Sequence, residues 1–327
     1  MNKSCVVLTT INKPGPVIHE LMDRGFELIV VGDKKTPDGY RSLDLHFLNI
    51  EDQRELFGDF ADMLPYNHYA RKNLGYLYAI RNGYDRIIET DDDNLPMEGW
   101  PCLPESKRGA QIEGPEFPNV YRYFTDKHIW PRGYPLDRIS NPALAIKENI
   151  SADNIHVWQG LVDGDPDVDA IFRLTRKTSD EHFQFERKNA VIVKKGCVVP
   201  FNTQNTTWLK QSSFAFLYLP CTVSFRATDI LKSYVAQFCI WAQGGAIGFT
   251  QATALQDRNA HDLMRDFEDE QYLYTNFYRI IETLRKVPYD GQASDLKKAY
   301  GALAENGLVE PTEVELVEQW LNLIETV

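Results

Sequence analysis

The sequence has few cysteines, no long hydrophobic run and no excess of positive charge. Its five cysteines are scattered over 327 residues without a C-x-x-C spacing. That pattern argues against a disulfide framework or a zinc knuckle and favours a reducing compartment. No apolar run approaches the length of a membrane span, and the first one is too short for a signal sequence. We therefore expect a cytoplasmic protein with no membrane-spanning segment.

The balance of charge is acidic, with 47 Asp and Glu against 35 Lys and Arg and a net charge of −12. Nucleic acid is therefore an unexpected partner, since proteins bind its backbone through cationic side chains. An anionic substrate would need a local metal ion or an arginine cluster to offset this field. The chain also has no internal repeat and no low-complexity segment, so a globular domain organisation is expected.

Strands and helices alternate through the first ninety residues. Apolar runs predict strands over residues 5–12, 27–33, 43–50 and 86–90, and helical patterns cover residues 17–24, 51–64 and 66–81. Such alternation is typical of an α/β fold whose parallel or mixed sheet is covered by helices. After about residue 258 the pattern is helical only, which predicts a C-terminal helical appendage.

Polar side chains follow several of these strands at the point where each strand ends. They are Thr9, Thr10, Asn12, Asp33, Asp91, Asp92 and Asp93. Ligands of such sheets bind at the carboxyl ends of the strands. We therefore expect these side chains to form one site.

The three consecutive aspartates carry the most specific chemistry. Adjacent carboxylates repel one another unless a cation lies among them, and oxygen ligands suit Mg²⁺ or Mn²⁺ better than zinc. The hypothesis is a divalent-metal site that holds a diphosphate. A solvated acidic turn is the alternative.

The second half of the chain is less regular. Residues 95–160 are rich in proline, glycine and aromatic residues, which fits an insertion that covers a substrate or a surface excursion packed by its own rings. Alternating aspartates follow between residues 163 and 169 without the glutamate that closes an EF-hand. Strands are predicted at residues 170–174, 190–199, 214–223 and 222–229, and a helix that Thr228 could cap.

Four strings, in order, resemble the STELLO family of glycosyltransferases. They are residues 29–37 (IVVGDKKTP), 64–77 (LPYNHYARKNLGYL), 159–173 (QGLVDGDPDVDAIFR) and 219–229 (LPCTVSFRATD). The similarity covers roughly residues 5–275. It implies a GT-A-like fold with a Rossmann-like nucleotide-binding half and a mixed central sheet. The implied domains are 1–258 (nucleotide-binding half 1–94, insertion 95–160, acceptor half 161–258) and a helical region, 259–327.

The resemblance implies a metal-dependent, hexosyltransferase-like enzyme. Its donor would be a nucleotide-sugar, with UDP as the nucleotide, and its acceptor a glycan or glycolipid in polysaccharide biosynthesis. Association with a membrane surface stays open. The family's acidic-x-Asp-Asp pattern matches Glu89, Asp91 and Asp92 best.

Roles for individual residues follow from this reaction. Thr9, Thr10, Asn12 and Asp33 would contact the base and ribose, and Arg71 and Asn73 would lie near the phosphates. The metal ligands would be Asp91, Asp92 and Asp93, and His261 would supply a further metal ligand or a phosphate contact. Asp229 is the first candidate for the base that an inverting enzyme needs, with Asp163 and Asp165 as alternatives. Asn202, Gln204 and Asn205 would contact sugar hydroxyls.

Two other functions fit the same pattern. A nucleotide-sugar mutase would use a similar aspartate cluster, and a non-catalytic GT-A scaffold of a polysaccharide-synthesis complex would bind nucleotide weakly or not at all. The long insertion favours an acceptor groove over a mutase, and the intact aspartates argue against the scaffold. The sequence leaves inversion or retention of the sugar's configuration open.

Overall fold

The structure is a computed structural model that describes residues 3–101, 103–104, 108–140, 143–151, 154–175, 183–256 and 262–325. Its strands are β1 (Ser4–Thr9), β2 (Glu27–Val31), β3 (His46–Leu48), β4 (Arg86–Thr90), β5 (Asn94–Pro96), β6 (Arg108–Gly114), β7 (Ala145–Ser151), β8 (Ile155–Gly164), β9 (Val191–Val193), β10 (Asn205–Trp208) and β11 (Ala246–Gln256).

Helices pack on both faces of the parallel strands. The helices are α1 (Pro16–Asp23), α2 (Ile50–Phe57), α3 (Asp59–Met63), α4 (Lys72–Arg81), α5 (Tyr121–Phe124), α6 (Ala170–Thr175), α7 (Thr228–Ala242), α8 (Leu263–Arg285), α9 (Asp295–Glu305) and α10 (Thr312–Glu325). Of these, α4 lies on one face of the parallel strands and α1 on the other. Short 3₁₀ helices at Tyr69–Arg71 and Phe225–Ala227 lead into α4 and α7. In the described part of the chain, no helix combines the length and the apolar character that crossing a membrane requires.

The strands form one mixed sheet in the order β3-β2-β1-β4-β10-β8-β11-β9-β6-β7, with β5 paired to β11. Strands β3, β2, β1 and β4 are parallel. Strand β10 is antiparallel to both β4 and β8, and β11 is parallel to β8. A parallel, Rossmann-like half therefore continues into a mixed half. This confirms the predicted α/β fold with a GT-A-like central sheet.

One glycine sets how closely α4 approaches the parallel strands. A Cβ atom at Gly75 would lie 2.6 Å from Cγ1 of Val7 and 2.8 Å from Cγ2 of Val31. Since such distances are shorter than van der Waals contact, any larger residue would push α4 away from β1 and β2. The helix carries Lys72 and Asn73 in its first turn, so this close packing also fixes where those side chains lie.

The C-terminal helices share the main hydrophobic core. The ring of Trp320 in α10 lies 6.4 Å from that of Phe60 in α3 and 5.7 Å from that of Tyr218. Its indole Nε1 donates to the carbonyl of Ala215 at 2.8 Å. The described part of the predicted appendage is therefore packed onto the sheet domain rather than tethered to it.

Three predicted strands are wrong, and one of them, over residues 222–229, contains the 3₁₀ helix Phe225–Ala227 and the start of α7. Residues 170–174 form helix α6, because the carboxylate of Asp169 accepts the backbone N–H of Phe172 at 2.6 Å and so begins a helical turn. The apolar run after residue 210 is a 3₁₀ helix, Gln211–Leu217, and then irregular backbone. A buried apolar run has no periodicity that distinguishes strand from helix.

The insertion over residues 95–160 is more regular than its composition predicted. It supplies β5 beside β11 and the paired strands β6 and β7 at the sheet edge. It also places Trp130 and Arg132 in the protein interior. A segment expected to cover a substrate or to form a surface excursion therefore extends the sheet.

Candidate active site

A cavity of about 380 Å³ opens at the carboxyl ends of β1, β2 and β4. The parallel half contributes residues from four loops, and the mixed half closes the other side. Its lining comprises Thr9, Thr10, Ile11, Asn12, Asp33, Lys35, Asn67, His68, Tyr69, Asp91, Asp92, Asp93, Arg132, Asp167, Asn202, Gln204, Phe225, Arg226, Asp229 and Gln256. The strand-end residues predicted to converge do so.

Asp92 connects the acidic turn to the end of β1. Its Oδ2 atom accepts a short hydrogen bond from the hydroxyl of Thr10 and a second one from Nδ2 of Asn12, at 3.0 Å. The hydroxyl of Thr10 also accepts the backbone N–H of Asn12 at 2.9 Å. These bonds use Thr10 and Asn12 to position Asp92.

Asp91 is held from the helical side of the cavity. Its Oδ1 accepts from the hydroxyl of Tyr69 at 2.6 Å and lies 3.5 Å from Nζ of Lys72. The ammonium group of Lys72 is fully buried and also donates to the carbonyl of Thr90 at 2.8 Å. Burial raises the pKa of Asp91 to about 6, although the charge of Lys72 opposes the shift.

Asp93 faces the mixed half of the sheet. Its Oδ2 accepts from Nε2 of Gln256 at 2.9 Å, and Oε1 of Gln256 in turn accepts from Gln204 at 2.6 Å. The neighbouring Asn94 donates to the other carboxylate oxygen, Oδ1 of Asp93, at 3.1 Å. Two amide side chains therefore orient this carboxylate, that of Gln256 from β11 and that of Asn94 from β5.

The donor set suits a hard cation, although its ligands are not assembled as a closed cage. Asp91 and Asp93 both line the cavity and offer carboxylate oxygens, which Mg²⁺ and Mn²⁺ prefer. Among the residues that the structure describes, no three His, Cys, Asp or Glu side chains group as a complete metal site. Mg²⁺ is usually held by one or two carboxylates together with substrate phosphates and water, so the residues present fit that kind of site. His261 lies outside the described residues.

Asp33 organises the loop that follows α3. Its Oδ2 accepts the backbone N–H of Asn67 at 2.6 Å, and its Oδ1 accepts that of Lys34 at 2.7 Å. Asn67 has a φ of 52°, a left-handed conformation that asparagine tolerates better than most residues. Asp33 therefore fixes the loop in which His68 and Tyr69 enter the cavity. The hydroxyl of Thr9 donates to the carbonyl of Val31 at 3.0 Å.

Arg71 and Asn73 are not brought to the cavity, contrary to the sequence prediction. Arg71 is fully buried and donates to the side chain of Gln53 and to the carbonyls of Ala61 and Leu64. Asn73 exchanges two hydrogen bonds of 2.8 Å with the backbone of Leu219. Both side chains join segments of the fold, so they are not placed to contact phosphates.

Three further carboxylates lie away from the cavity, among them both alternatives to Asp229. Asp163 accepts from the backbone of Phe185 at 3.0 Å and from Arg187 at 2.6 Å, and Asp165 forms a short ion pair with Arg173. Glu89 is fully buried and pairs with Lys232 at 2.7 Å and with the indole of Trp208 at 2.6 Å. The amide of Asn205 is likewise used internally, by Trp100, Leu161 and Thr253.

Asp229 does line the cavity, but a buried arginine binds it. Arg132 donates to both of its oxygens at 2.9 Å and to both oxygens of Asp167 at 2.8 and 2.9 Å. Burial acts to raise the pKa of Asp167, but the charge and hydrogen bonds of Arg132 outweigh it and hold that pKa below its ordinary value. Asp229 therefore lies at the cavity as predicted, with both of its oxygens hydrogen-bonded to Arg132, and its role as a base stays a prediction.

The sequence reasoning missed Tyr69, Lys72, Arg132 and Asp167. Tyr69 and Lys72 stand inside a string that carried the family resemblance, and Asp167 stands in the same run as Asp163 and Asp165. Strand β8 ends at Gly164, so the chain has left the sheet before it reaches Asp167. Nothing in the sequence pattern marks Arg132, whose partners are 35 and 97 residues away along the chain.

The fold and the cavity define a GT-A-like α/β protein with an acidic site at the carboxyl ends of its parallel strands. Residues 226–327 match the family model of the STELLO glycosyltransferases. "Probable glycosyltransferase STELLO1" of Arabidopsis thaliana is 29% identical over 97% of this chain and 43% of its own length. "Probable glycosyltransferase STELLO2" of the same plant is 30% identical over 80% of this chain and 36% of its own length. The chain is thus similar to the STELLO glycosyltransferases, as its sequence strings predicted, and spans less than half the length of these curated relatives.

Solved structures that align with this chain share little sequence with it. Glucosyl-3-phosphoglycerate synthase from Mycobacterium tuberculosis, in complex with Mn²⁺ and uridine-diphosphate-glucose, is 10% identical. The alignment covers 87% of this chain and 79% of that chain, with a TM-score of 0.41.

Proposed function

We propose that the protein transfers a hexose-like sugar from a nucleotide-sugar, with UDP as the nucleotide, to a glycan or glycolipid acceptor. The observation that carries this proposal is the position of Asp91 and Asp93 in one cavity with Asp33 and the residues that end β1. The site joins a strand-end pocket of the kind that binds nucleotides to a pair of oxygen ligands of the kind that binds Mg²⁺ or Mn²⁺. The two STELLO relatives carry the name "Probable glycosyltransferase".

The charge of the cavity supports a requirement for a divalent cation. Six aspartates and three cationic side chains line it in the described part of the chain. At an effective dielectric constant of 20, two like charges 4 Å apart repel by about 4 kcal/mol. A diphosphate would not enter such a site without a counter-charge. A bound Mn²⁺ or Mg²⁺ would supply it and would neutralise the leaving diphosphate.

The chain's own residues divide the remaining tasks. Asp33 and the loop it fixes, with Lys35 exposed beside it, form the side of the cavity nearest the ends of β1 and β2. We assign the nucleoside to this side. Tyr69, Lys72 and Gln256 orient Asp91 and Asp93 through hydrogen bonds, so neither carboxylate has to be ordered when the donor binds. Asn202 and Gln204, predicted to contact sugar hydroxyls, line the opposite side.

Calorimetric titration with UDP, with and without Mn²⁺, tests this proposal. Wild type is expected to bind UDP much more tightly with Mn²⁺, because the metal offsets the aspartates. In Asp91→Asn the Mn²⁺-dependent part of the affinity is expected to disappear, since a neutral amide replaces a carboxylate ligand. Asp44→Asn removes an exposed carboxylate outside the cavity lining and serves as the matched control.

The outcomes separate the candidate functions. Metal-dependent binding that is lost only in Asp91→Asn supports the donor site, and UDP-sugars would then be screened for hydrolysis. If wild type bound neither UDP nor another nucleoside diphosphate at millimolar concentration with Mn²⁺, the donor site would be wrong and a scaffold would explain the fold better.

A further inference from the structure

The cavity contains an exposed aromatic ring that the donor site does not use. Phe225 is 51% exposed and lies in the short helix that precedes α7. Its ring centroid is 5.7 Å from that of Tyr69 and 5.9 Å from that of His68, in both cases edge to face. Apolar rings that remain exposed inside a concave site commonly mark a ligand surface.

The polar groups on the same side of the cavity are mainly hydrogen-bond acceptors. Asp167 and Asp229 present carboxylates, and Asn202 donates to Oδ2 of Asp167 at 2.8 Å. Arg132 lies between the two carboxylates, and its three guanidinium nitrogens all donate to them. The two carboxylates therefore balance the charge of Arg132. A ligand on this side of the cavity meets mostly acceptor oxygens.

The other cation on this side, Arg226, is ion-paired through its Nε, while its Nη2 has no hydrogen-bond partner among the described residues but is buried away from solvent. Nε of Arg226 lies 2.6 Å from Oε1 of Glu270 and 3.7 Å from Oδ1 of Asp266, and both carboxylates belong to α8. Lys35, the third cation of the described lining, follows β2 on the side assigned to the nucleoside. A carboxylate or phosphate group near Phe225 would therefore meet Asp167 and Asp229 without an unpaired cation to balance it.

We propose that Phe225, Asp229 and Asp167 form an acceptor subsite for an uncharged sugar ring. A pyranose has a face of C–H bonds, which would stack on Phe225, and a rim of hydroxyl groups, which would donate to the two carboxylates. An anionic sugar would be excluded by the same carboxylates. This inference rests on the proposed sugar transfer and adds the chemical class of the acceptor.

Saturation-transfer NMR measures the subsite directly, because it detects weak ligands and shows which ligand protons touch the protein. The probes are cellobiose, which is neutral, and glucuronic acid, which carries a carboxylate on a similar ring. Spectra are recorded on the full chain with UDP and Mn²⁺ and again without them. Signals from the ring C–H protons of cellobiose are expected in wild type, with none from glucuronic acid.

Two substitutions and a control identify the ring that makes the contact. Phe225→Ala is expected to abolish the cellobiose signal, while Phe225→Tyr keeps the aromatic face and retains it. Leu56→Ala removes an apolar side chain that is 40% exposed and lies outside the cavity lining, so it should change nothing. The affinity of each variant for UDP, measured by calorimetry, tests whether the nucleoside side of the cavity is intact.

The inference is overturned if cellobiose gives no signal in wild type, if its signal survives in Phe225→Ala, or if glucuronic acid binds equally well. It is also overturned if Phe225→Ala weakens UDP binding and leaves cellobiose unchanged, because the ring would then stack on the base. UDP binding without cellobiose binding would refute the subsite alone. Cellobiose contact with Phe225 in a protein that does not bind UDP would refute the donor site alone.

Discussion

The hydroxyl of Tyr69 lies 2.6 Å from Oδ1 of Asp91, while its ring packs edge to face with that of Phe225 at a centroid distance of 5.7 Å. One side chain thus joins the candidate metal carboxylate to the candidate acceptor surface. Nζ of Lys72 lies 3.0 Å from the same hydroxyl and 3.5 Å from Asp91. The hydroxyl of the half-buried Tyr69 and the buried ammonium group of Lys72 therefore orient this carboxylate, which lines the cavity.

Tyr69→Phe removes the donor to Asp91 and leaves the ring in place. Partners that orient a metal ligand typically change metal affinity by about 10–100-fold when they are removed. We expect the affinity for UDP with Mn²⁺ to fall by roughly tenfold, which corresponds to about 1.4 kcal/mol, while the affinity without Mn²⁺ changes little. Isothermal titration calorimetry measures both values.

Tyr78→Phe is the control, because that hydroxyl contacts Nδ1 of His46 at 3.1 Å on the surface. Equal affinities in wild type and Tyr69→Phe would show that the hydrogen bond to Asp91 does not position a metal ligand.

The C-terminal helices hold the segment that leads to Phe225. Glu313 in α10 is fully buried and accepts the backbone N–H groups of Cys221 and Thr222, at 3.1 and 2.8 Å, together with the hydroxyl of Tyr218. A little further along, the hydroxyl of Ser224 donates to the carbonyl of Asp269 in α8. The helices thereby fix the backbone on both sides of residue 223.

Glu313→Gln keeps the shape of this side chain but replaces an acceptor oxygen with a donor. At least one buried donor would lose its partner, at a cost of about 1–3 kcal/mol in the free energy of unfolding. Urea denaturation followed by circular dichroism measures the change. Glu315→Gln alters an exposed glutamate of the same helix and should stay within about 0.5 kcal/mol of wild type. If Glu313→Gln left the free energy of unfolding unchanged, α10 would not anchor the segment of residues 218–222.

The residues that sequence reasoning placed correctly share a simple geometric cause. Thr10, Asp33 and Asp92 follow strands that are parallel neighbours or next neighbours, and the carboxyl ends of such strands meet at one edge. Identifying three strands was therefore enough to bring them together. No knowledge of the second half of the chain was needed.

The positions of the residues that sequence reasoning misplaced depend on how a helix is oriented and on contacts between residues far apart in the sequence. Arg71 and Lys72 are adjacent, yet one binds Gln53 in the interior and the other approaches Asp91. Successive residues of a helical segment point about 100° apart, so the choice between them depends on how α4 packs. Strands β8, β10 and β11 were not predicted from the sequence. The side of the cavity that carries Asp167 and Arg132 could therefore not be predicted either.

Asp169 provides a test of the interior that is independent of any ligand. Its carboxyl group is fully buried and accepts from the indole Nε1 of Trp130 at 2.6 Å and from the backbone of Phe172. Burial raises its pKa to about 6, although those two hydrogen bonds oppose the shift. The group therefore stays protonated in the folded state over a range in which the unfolded chain has released the proton.

The sign of the resulting pH dependence follows from linkage. The stability contributed by the protonated group is fully present below the unfolded pKa of about 3.9 and is lost as the pH rises through the folded pKa of about 6. Between pH 4.5 and 7.5 this loss amounts to about 2 kcal/mol. Asp169→Asn cannot titrate, so its stability relative to wild type should rise by that amount over the same range. Urea denaturation at several pH values measures the difference, with Asp38→Asn, at an exposed position, as control. A constant difference between Asp169→Asn and wild type would show that Asp169 is ionised in the folded protein throughout this range.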